Sequence, residues 1–241
     1  MRLPRVVAPE TLDGLAAHDP HAMRSRRDLR RVHRFMRTVP VVARALRGDA
    51  LQRPGPFRIL ELGAGDGTLM LRVAQAIGAV GASVELTLLD RLSLVDDATI
   101  GAYARIGWQA EHVAADVLEW AASQSTTTPA SHCDLVVANL FLHHFEGREL
   151  ASVMRAIGAC SDRVFACEPR RSRFALVAAH LTGLIGANAV TREDAVLSVR
   201  AGFDGDELTR AWTSVHPGWT VREYGAGPFS HCFDASRTGS A

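Results

Sequence analysis

The sequence predicts an α/β domain built on a doubly wound, mostly parallel sheet, with an antiparallel hairpin at its C-terminal end and a helical cap before it. Three observations predict this. Short apolar runs alternate with helical stretches from Phe57 onward, a glycine-rich turn joins the first run to the first helix, and two β-like runs near the end flank Gly225-Ala226-Gly227-Pro228. Continuous apolar runs are what strands covered on both faces require, and strict alternation of β and α units places such strands side by side in parallel.

Taken in order, the first element is helical. Within 21–47, Leu29, Val32, Met36, Val39, Val42 and Leu46 recur at helical spacing, and nine arginines take most of the other face. Pro40 is expected to split this run in two, because its ring clashes with the preceding turn. The stretch reads as a solvated amphipathic cap, with a basic groove or a dimer contact as alternatives. Phe35 is the one aromatic among the arginines, a poor platform for stacking nucleic-acid bases. The breaker cluster Gln52-Arg53-Pro54-Gly55-Pro56 then divides a cap, 1–54, from a domain, 55–241. Strands are expected at 57–62, 84–89, 110–115, 134–140 and 163–167, and helices at 66–78, 92–105, 146–158 and 172–185. The Ser/Thr run 123–128 reads as a surface loop, and 219–224 with 229–233 as the terminal hairpin. The segment 183–203, with several glycines and the cluster Thr191-Arg192-Glu193-Asp194, interrupts the alternation, and residues 174–203 are expected to cover a substrate. Asn188, Arg192, Asp194 and Arg200 are their polar candidates.

Composition narrows the function. A 241-residue chain that is 47% hydrophobic buries a sizeable core, which excludes a disordered chain. A net charge of +1 gives no global field toward polyanions, so nucleic acid or a membrane surface would have to find a local patch, and neither is expected as a partner. All 27 basic residues are arginine and spread along the whole chain, marking no single site. Cys133, Cys160, Cys167 and Cys232 form no C-x-x-C pair, so neither a disulfide scaffold nor a zinc or redox site is expected. No stretch approaches 18 uncharged apolar residues and no export signal is apparent at 1–17, so a soluble, cytoplasmic protein is expected, monomeric or homodimeric.

The chemistry is carried by Glu61-Leu62-Gly63-Ala64-Gly65-Asp66-Gly67, which ends the first strand and opens a helix. Glycines let the backbone turn sharply and let a ligand approach without meeting a Cβ, while the helix start offers free N–H groups. The G-x-G-x-G spacing departs from the G-x-G-x-x-G of dinucleotide loops. Glu61, two residues before Gly63, would repel a pyrophosphate but suits an ammonium or sulfonium. Asp90, 23 residues beyond Gly67 at the second strand's end, is placed to accept from ribose hydroxyls, and Asp116, past the third strand, from an adenine amino group. Either carboxylate alone also reads as a helix N-cap. Their order at successive strand ends favours an adenosine site.

This order, together with Asp134-Leu135-Val136-Val137-Ala138-Asn139-Leu140-Phe141-Leu142-His143-His144-Phe145, resembles the class I S-adenosylmethionine-dependent methyltransferases with their Rossmann-like sheet. The nearest kinds are those of ubiquinone and menaquinone biosynthesis and of bacterial secondary metabolism. The resemblance covers about 55–170 and implies S-adenosylmethionine as cofactor. It implies that Gly63, Ala64, Gly65 and Gly67 line the methionine part, with Glu61 supporting the loop and the amino group. It further implies Asp90 at the ribose with Arg91 beside it, Asp116 and Val117 at the adenine, and Asn139 and Leu140 next to the sulfonium. The antiparallel end of the sheet fits the same family. Where amino-methylating relatives carry N-P-P-Y, this chain has Ala138-Asn139-Leu140-Phe141, which argues against methylation of nucleic-acid bases.

Methyl transfer from a sulfonium is an in-line displacement that needs alignment and a dry site, and an acidic acceptor must also lose a proton. His143 and His144 follow the fourth strand, where open α/β sheets bind ligands, and either reads as general base or as structural. His144 is favoured, neighbouring histidines are expected to point apart, and no third ligand at helical spacing indicates a metal. Glu168 and Arg170, after the fifth strand, and Arg192 are the candidates to face the acceptor, a small molecule, aromatic or polyketide-like, methylated at oxygen or carbon. A nicotinamide-dependent oxidoreductase on a similar sheet is disfavoured by the glycine spacing and by the absence of lysine. A non-catalytic binding protein has no need of the intact loop.

Overall fold

The computed structural model describes residues 3–48, 51, 55–124 and 132–238. Gln52, Arg53, Pro54 and most of the Ser/Thr run lie outside them. The sheet has seven strands: β1 (Pro56–Leu62), β2 (Ser83–Asp90), β3 (Trp108–Ala114), β4 (Cys133–Asn139), β5 (Ser161–Pro169), β6 (Trp219–Ala226) and β7 (Ser230–Arg237). Their order is β3-β2-β1-β4-β5-β7-β6, with the first five parallel and β7 antiparallel to both β5 and β6. The doubly wound sheet with an antiparallel end is therefore as expected.

The central strands β1, β4 and β5 bury continuous runs because helices cover both of their faces, whereas β2 alternates buried Val84, Leu86 and Leu88 with part-exposed Glu85 and Thr87. The helices are α1 (Thr11–Gly14), α2 (Pro20–Met36), α3 (Thr38–Leu46), α4 (Thr68–Ile77), α5 (Asp97–Arg105), α6 (Val117–Ser123), α7 (Gly147–Cys160), α8 (Arg173–His180), α9 (Ala189–Ala201) and α10 (Glu207–Thr213). Ile59, Leu86 and Val137 point to one side with Val42, Met70 and Tyr103. Leu60, Leu62 and Val136 point to the other with Met154, Ile157 and Trp212. The register aligns Leu62 with Leu89 on β2 and with Ala138 on β4, so the chain segments that follow these strands emerge together at one edge. Strand order reverses between β2-β1 and β1-β4, the crevice where such sheets bind ligands.

The cap helix breaks at Arg37, not at Pro40. Arg37 takes a left-handed conformation (φ 56°) between α2 and α3. Pro40 falls in the first turn of α3, where its missing N–H costs no intrahelical bond. Residues 174–203 are largely helical: α8, a 3₁₀ turn at Thr182–Ile185, and α9. Asn188 caps α9 by accepting from Thr191 N, and Asp194 accepts from Thr11 N and Leu12 N, tying α9 to the N-terminal segment. Helices α1, α6, α9 and α10 fall outside the helical runs that the sequence announces, each being short or weakly periodic.

Candidate active site

A cleft of about 390 Å³ opens at this edge. Every sequence-predicted cofactor residue except Gly67 lines it: Glu61, Gly63, Ala64 and Gly65 from the loop, Asp90 and Arg91 after β2, Asp116 and Val117 after β3, Asn139 and Leu140 after β4. Gly67 lies beneath, where its carbonyl accepts from the Tyr103 hydroxyl at 2.7 Å.

The loop is shaped by backbone conformation and pinned by Asp90. Gly63 (φ 70°) and Gly65 (φ 59°) are left-handed, and a Cβ on Gly63 would overlap the Phe141 ring. Asp90 Oδ2 accepts from Gly65 N at 2.8 Å and Oδ1 from Leu92 N at 2.9 Å, so this carboxylate fixes both the glycine turn and the turn after β2. Asp116 Oδ1 accepts from Leu118 N at 2.7 Å and caps α6 while standing on the cleft wall, so the capping and cleft readings hold together. Arg91 donates to the carbonyl of Asp13 at 2.6 Å. Leu140, φ 50°, holds a conformation that costs about 1–2 kcal/mol for an L-residue, at the point where β4 delivers the chain to the cleft. Gly63→Ala is expected to lower the affinity of the cleft for its ligand at least about tenfold, because both the positive φ and the Phe141 ring oppose a methyl group. Isothermal titration of the variant checks this.

Two buried acceptors face the cleft without donors. Glu61 Oε2 and Asn139 Oδ1 find no hydrogen-bond partner among the described residues. Burial, then the charges of Asp90 and Asp66, pushes the Glu61 carboxyl well above its ordinary range. A cationic ligand group placed there would bring the carboxylate back to its charged form.

The histidines sit on a 3₁₀ turn, Leu142–His144, with their rings side by side at 4.2 Å between centroids instead of pointing apart. Both line the cleft. Glu168, expected to face the acceptor, lines neither the cleft nor the cavity beside it. Fully buried, it accepts from Phe141 N, Leu142 N and His143 N and bonds His143 Nδ1 at 2.8 Å, holding the turn from below. His143 Nε2 then meets Glu10 Oε1 at 3.4 Å, and Glu10 also accepts from Ser198. Burial alone would lower the His143 pKa, but the hydrogen bonds and charges of Glu10 and Glu168 outweigh it and raise it to about 9. His144 goes the other way: burial and the neighbouring His143 lower it, and its Nδ1 stands 3.5 Å from Asp13 Oδ2. At neutral pH His143 is therefore a fixed cation and His144 a neutral base. NMR titration is expected to show one imidazole titrating near 9 and its neighbour below 6.5. Because the folded pKa of His143 is raised, its contribution to stability is complete below about 6.5 and is lost as the pH climbs through 9. Glu168→Gln is expected to cost about 2–3 kcal/mol in urea unfolding, since four donors share that carboxylate; an unchanged midpoint would contradict this role.

The third group that the spacing did not supply near the histidines is Glu10, whose ligand atom lies with theirs within 4.8 Å of one another. Glu10, Leu12 and Asp13 come from a segment more than 120 residues away in sequence, and nothing in their local pattern marks them. The other two acceptor candidates stand elsewhere. Arg170 donates to the carbonyl of Gly227 at 3.1 Å beside the hairpin, and Arg192 lies along Gly183; neither lines the cleft. The sequence offered no way to distinguish Arg170 from its buried neighbour Arg171, which bonds Glu207 and the carbonyls of Leu3 and Gly202.

A second pocket, about 340 Å³ and almost wholly apolar, adjoins the first. Leu29, Val32, Phe35 and Met36 of α2 form one wall, and Leu181 and Ile185 the other. The two cavities share Glu10, Leu12, Leu29, Leu140 and Ser198, so residues 174–203 do border a space that continues into the cleft.

Among solved structures, the chain resembles the plantazolicin methyltransferase BpumL in complex with a triazolic desmethylPZN analog and SAH, at 11% identity and a TM-score of 0.62 over 91% of this chain and 92% of that one. The fold is that of the class I methyltransferases. An O-methyltransferase family protein from Burkholderia thailandensis (17% identity, TM-score 0.61) matches 93% of this chain, which spans 62% of that protein's length. The S-adenosylmethionine-dependent methyltransferase SibL in its apo form gives 16% identity and a TM-score of 0.61 over 96% of this chain and 63% of that one. No family model and no curated protein matches.

Proposed function

We propose that this protein transfers a methyl group from S-adenosylmethionine to oxygen or carbon of a small acceptor with an apolar, aromatic or polyketide-like body. The observation that carries the reading is the pair of buried, unpartnered acceptors, Glu61 Oε2 and Asn139 Oδ1, on the same cleft as Asp90 and Asp116. A ligand that brings a positive charge and amino donors to the first pair and a nucleoside to the second fits this arrangement. A nicotinamide dinucleotide would set its pyrophosphate against Glu61 and Asp66 instead.

When bound, the cofactor supplies an electrophilic methyl group on a sulfonium whose charge vanishes on transfer. Glu61 and Asn139 would hold its amino group, Asp90 its ribose, and Asp116 with Val117 its adenine. Leu140, common to both cavities, stands where the reacting groups would meet. The apolar second pocket excludes water and seats the acceptor's body. His144, neutral at pH 7, takes the acceptor's proton, and the charged chain Glu168–His143–Glu10 holds the turn that presents it. A protonated His143 donates from Nε2 toward Glu10 Oε1, which stands 3.4 Å away.

The test is transfer of label from methyl-labelled S-adenosylmethionine into fractionated small molecules. Label is expected in organic-soluble, ultraviolet-absorbing fractions; label confined to nucleic acid or protein would overturn the acceptor class.

A further inference from the structure

The mouth of the second pocket carries an unusual surface. Phe174, Val177, Leu181 and Leu184 follow one another along α8 and the 3₁₀ turn at intervals of three, four and three residues, the spacing of a helix face made to pack. Here that face meets solvent: the four are 63%, 60%, 52% and 83% exposed. Phe35 of α2, 59% exposed, joins them through Phe229, whose ring centroid is 5.3 Å from that of Phe35 and 5.7 Å from that of Phe174. Most of the large exposed hydrophobics of the described residues gather at this one place, and several of them also line the apolar cavity behind it. The apolar surface is thus continuous from the exterior into the pocket.

Its rim is cationic. Arg173 precedes Phe174, Arg31 reaches the carbonyl of Gly186 at 3.2 Å, and the Arg192 side chain lies 3.3 Å from where a Gly183 Cβ would stand. All three arginines are exposed. Across 173–193 the only carboxylate is Glu193, and Asp28 beneath Arg31 is buried and bonded to it and to Asn188 N. Protruding aliphatic and aromatic groups ringed by arginines match the acyl boundary and headgroups of an anionic bilayer. Two copies of this face pressed together would oppose arginine to arginine instead.

We propose that this face docks on an anionic lipid bilayer, setting Phe174, Val177 and Leu184 into the interface so that the apolar pocket opens toward lipid. The patch supplies locally what the net charge of the chain lacks. Docking goes beyond methyl transfer and does not depend on it.

Flotation of the full chain with two vesicle types tests this: phosphatidylcholine alone, and phosphatidylcholine with phosphatidylglycerol. The chain is expected to float with the second at low salt and to be released as salt rises. Phe174→Asp/Val177→Asp, both outside the two cavities, is expected to weaken flotation at least about tenfold, with thermal unfolding and S-adenosylhomocysteine binding unchanged. Arg31→Gln/Arg173→Gln is expected to remove the preference for phosphatidylglycerol. A chain that stays in the soluble fraction with both vesicle types, or equal flotation with both, overturns the proposal. So does a wild-type dimer in sedimentation equilibrium that the Phe174→Asp/Val177→Asp variant converts to a monomer, which would assign the patch to self-association.

Discussion

Replacing Asp90 with Ala is expected to weaken binding of S-adenosylhomocysteine by about a hundredfold or more. The carboxylate has two duties. It accepts from Gly65 N and Leu92 N, both part-buried, so its removal releases those donors and frees the glycine turn that shapes the cleft. In the proposed binding mode it also offers the ribose hydroxyls a carboxylate acceptor, worth about 1.5–3 kcal/mol. The upper end of that range reaches the roughly 2.7 kcal/mol that a hundredfold represents, and the cost of ordering the freed turn on binding adds to it. Asp90→Asn keeps one acceptor oxygen and is expected to fall between Ala and wild type. An Ala variant that folds and binds with unchanged affinity would show that the ligand does not reach Asp90.

His144→Ala is expected to lower kcat by about 10²–10⁴ while S-adenosylhomocysteine affinity stays within a few fold, because the role proposed for the imidazole is to take the acceptor's proton and not to hold the cofactor. Its pKa is held below 6.5 by burial and by the His143 charge, so the base is already free at neutral pH. The wild-type rate is accordingly expected to rise with pH through a value under 6.5 and then to level off, and the variant to lack that limb. His143→Ala differs in kind: it leaves Glu10 and Glu168 buried near one another without the cation between them, and is expected to show chiefly as lost stability. A His144→Ala enzyme with wild-type kcat would mean that alignment alone drives the transfer.

The cleft wall to which the proposed cofactor site belongs was legible in the sequence because each of its parts is local. Glu61, the glycines and Asp66 lie within seven residues, and Asp90, Asp116 and Asn139 each follow a strand that its own apolar run announces. Parallel topology then brings the strand ends to one edge without further information. The acceptor half was not legible, because it is assembled across the chain. Glu10 reaches His143 over 133 residues, and the apolar pocket joins α2 to α8 and α9 through contacts that no single stretch encodes. Their place after the fifth strand makes Glu168 and Arg170 candidates to face an acceptor, since residues of functional sites often stand at strand ends. The backbone after β4 turns over Glu168 and needs its carboxylate for three N–H groups, so satisfaction of buried donors overrode that expectation. The cap helix broke at Arg37 for a related reason: proline is harmless in a first turn, and a left-handed residue ends a helix wherever packing asks for a change of direction.

The account rests on the cleft taking a sulfonium nucleoside, and calorimetric titration of the unmodified chain with S-adenosylhomocysteine tests it most directly. Saturable binding at one site per chain is expected, with NADH giving none. Absence of binding heat at about 1 mM ligand, where even an interaction of roughly 4 kcal/mol registers, would contradict it.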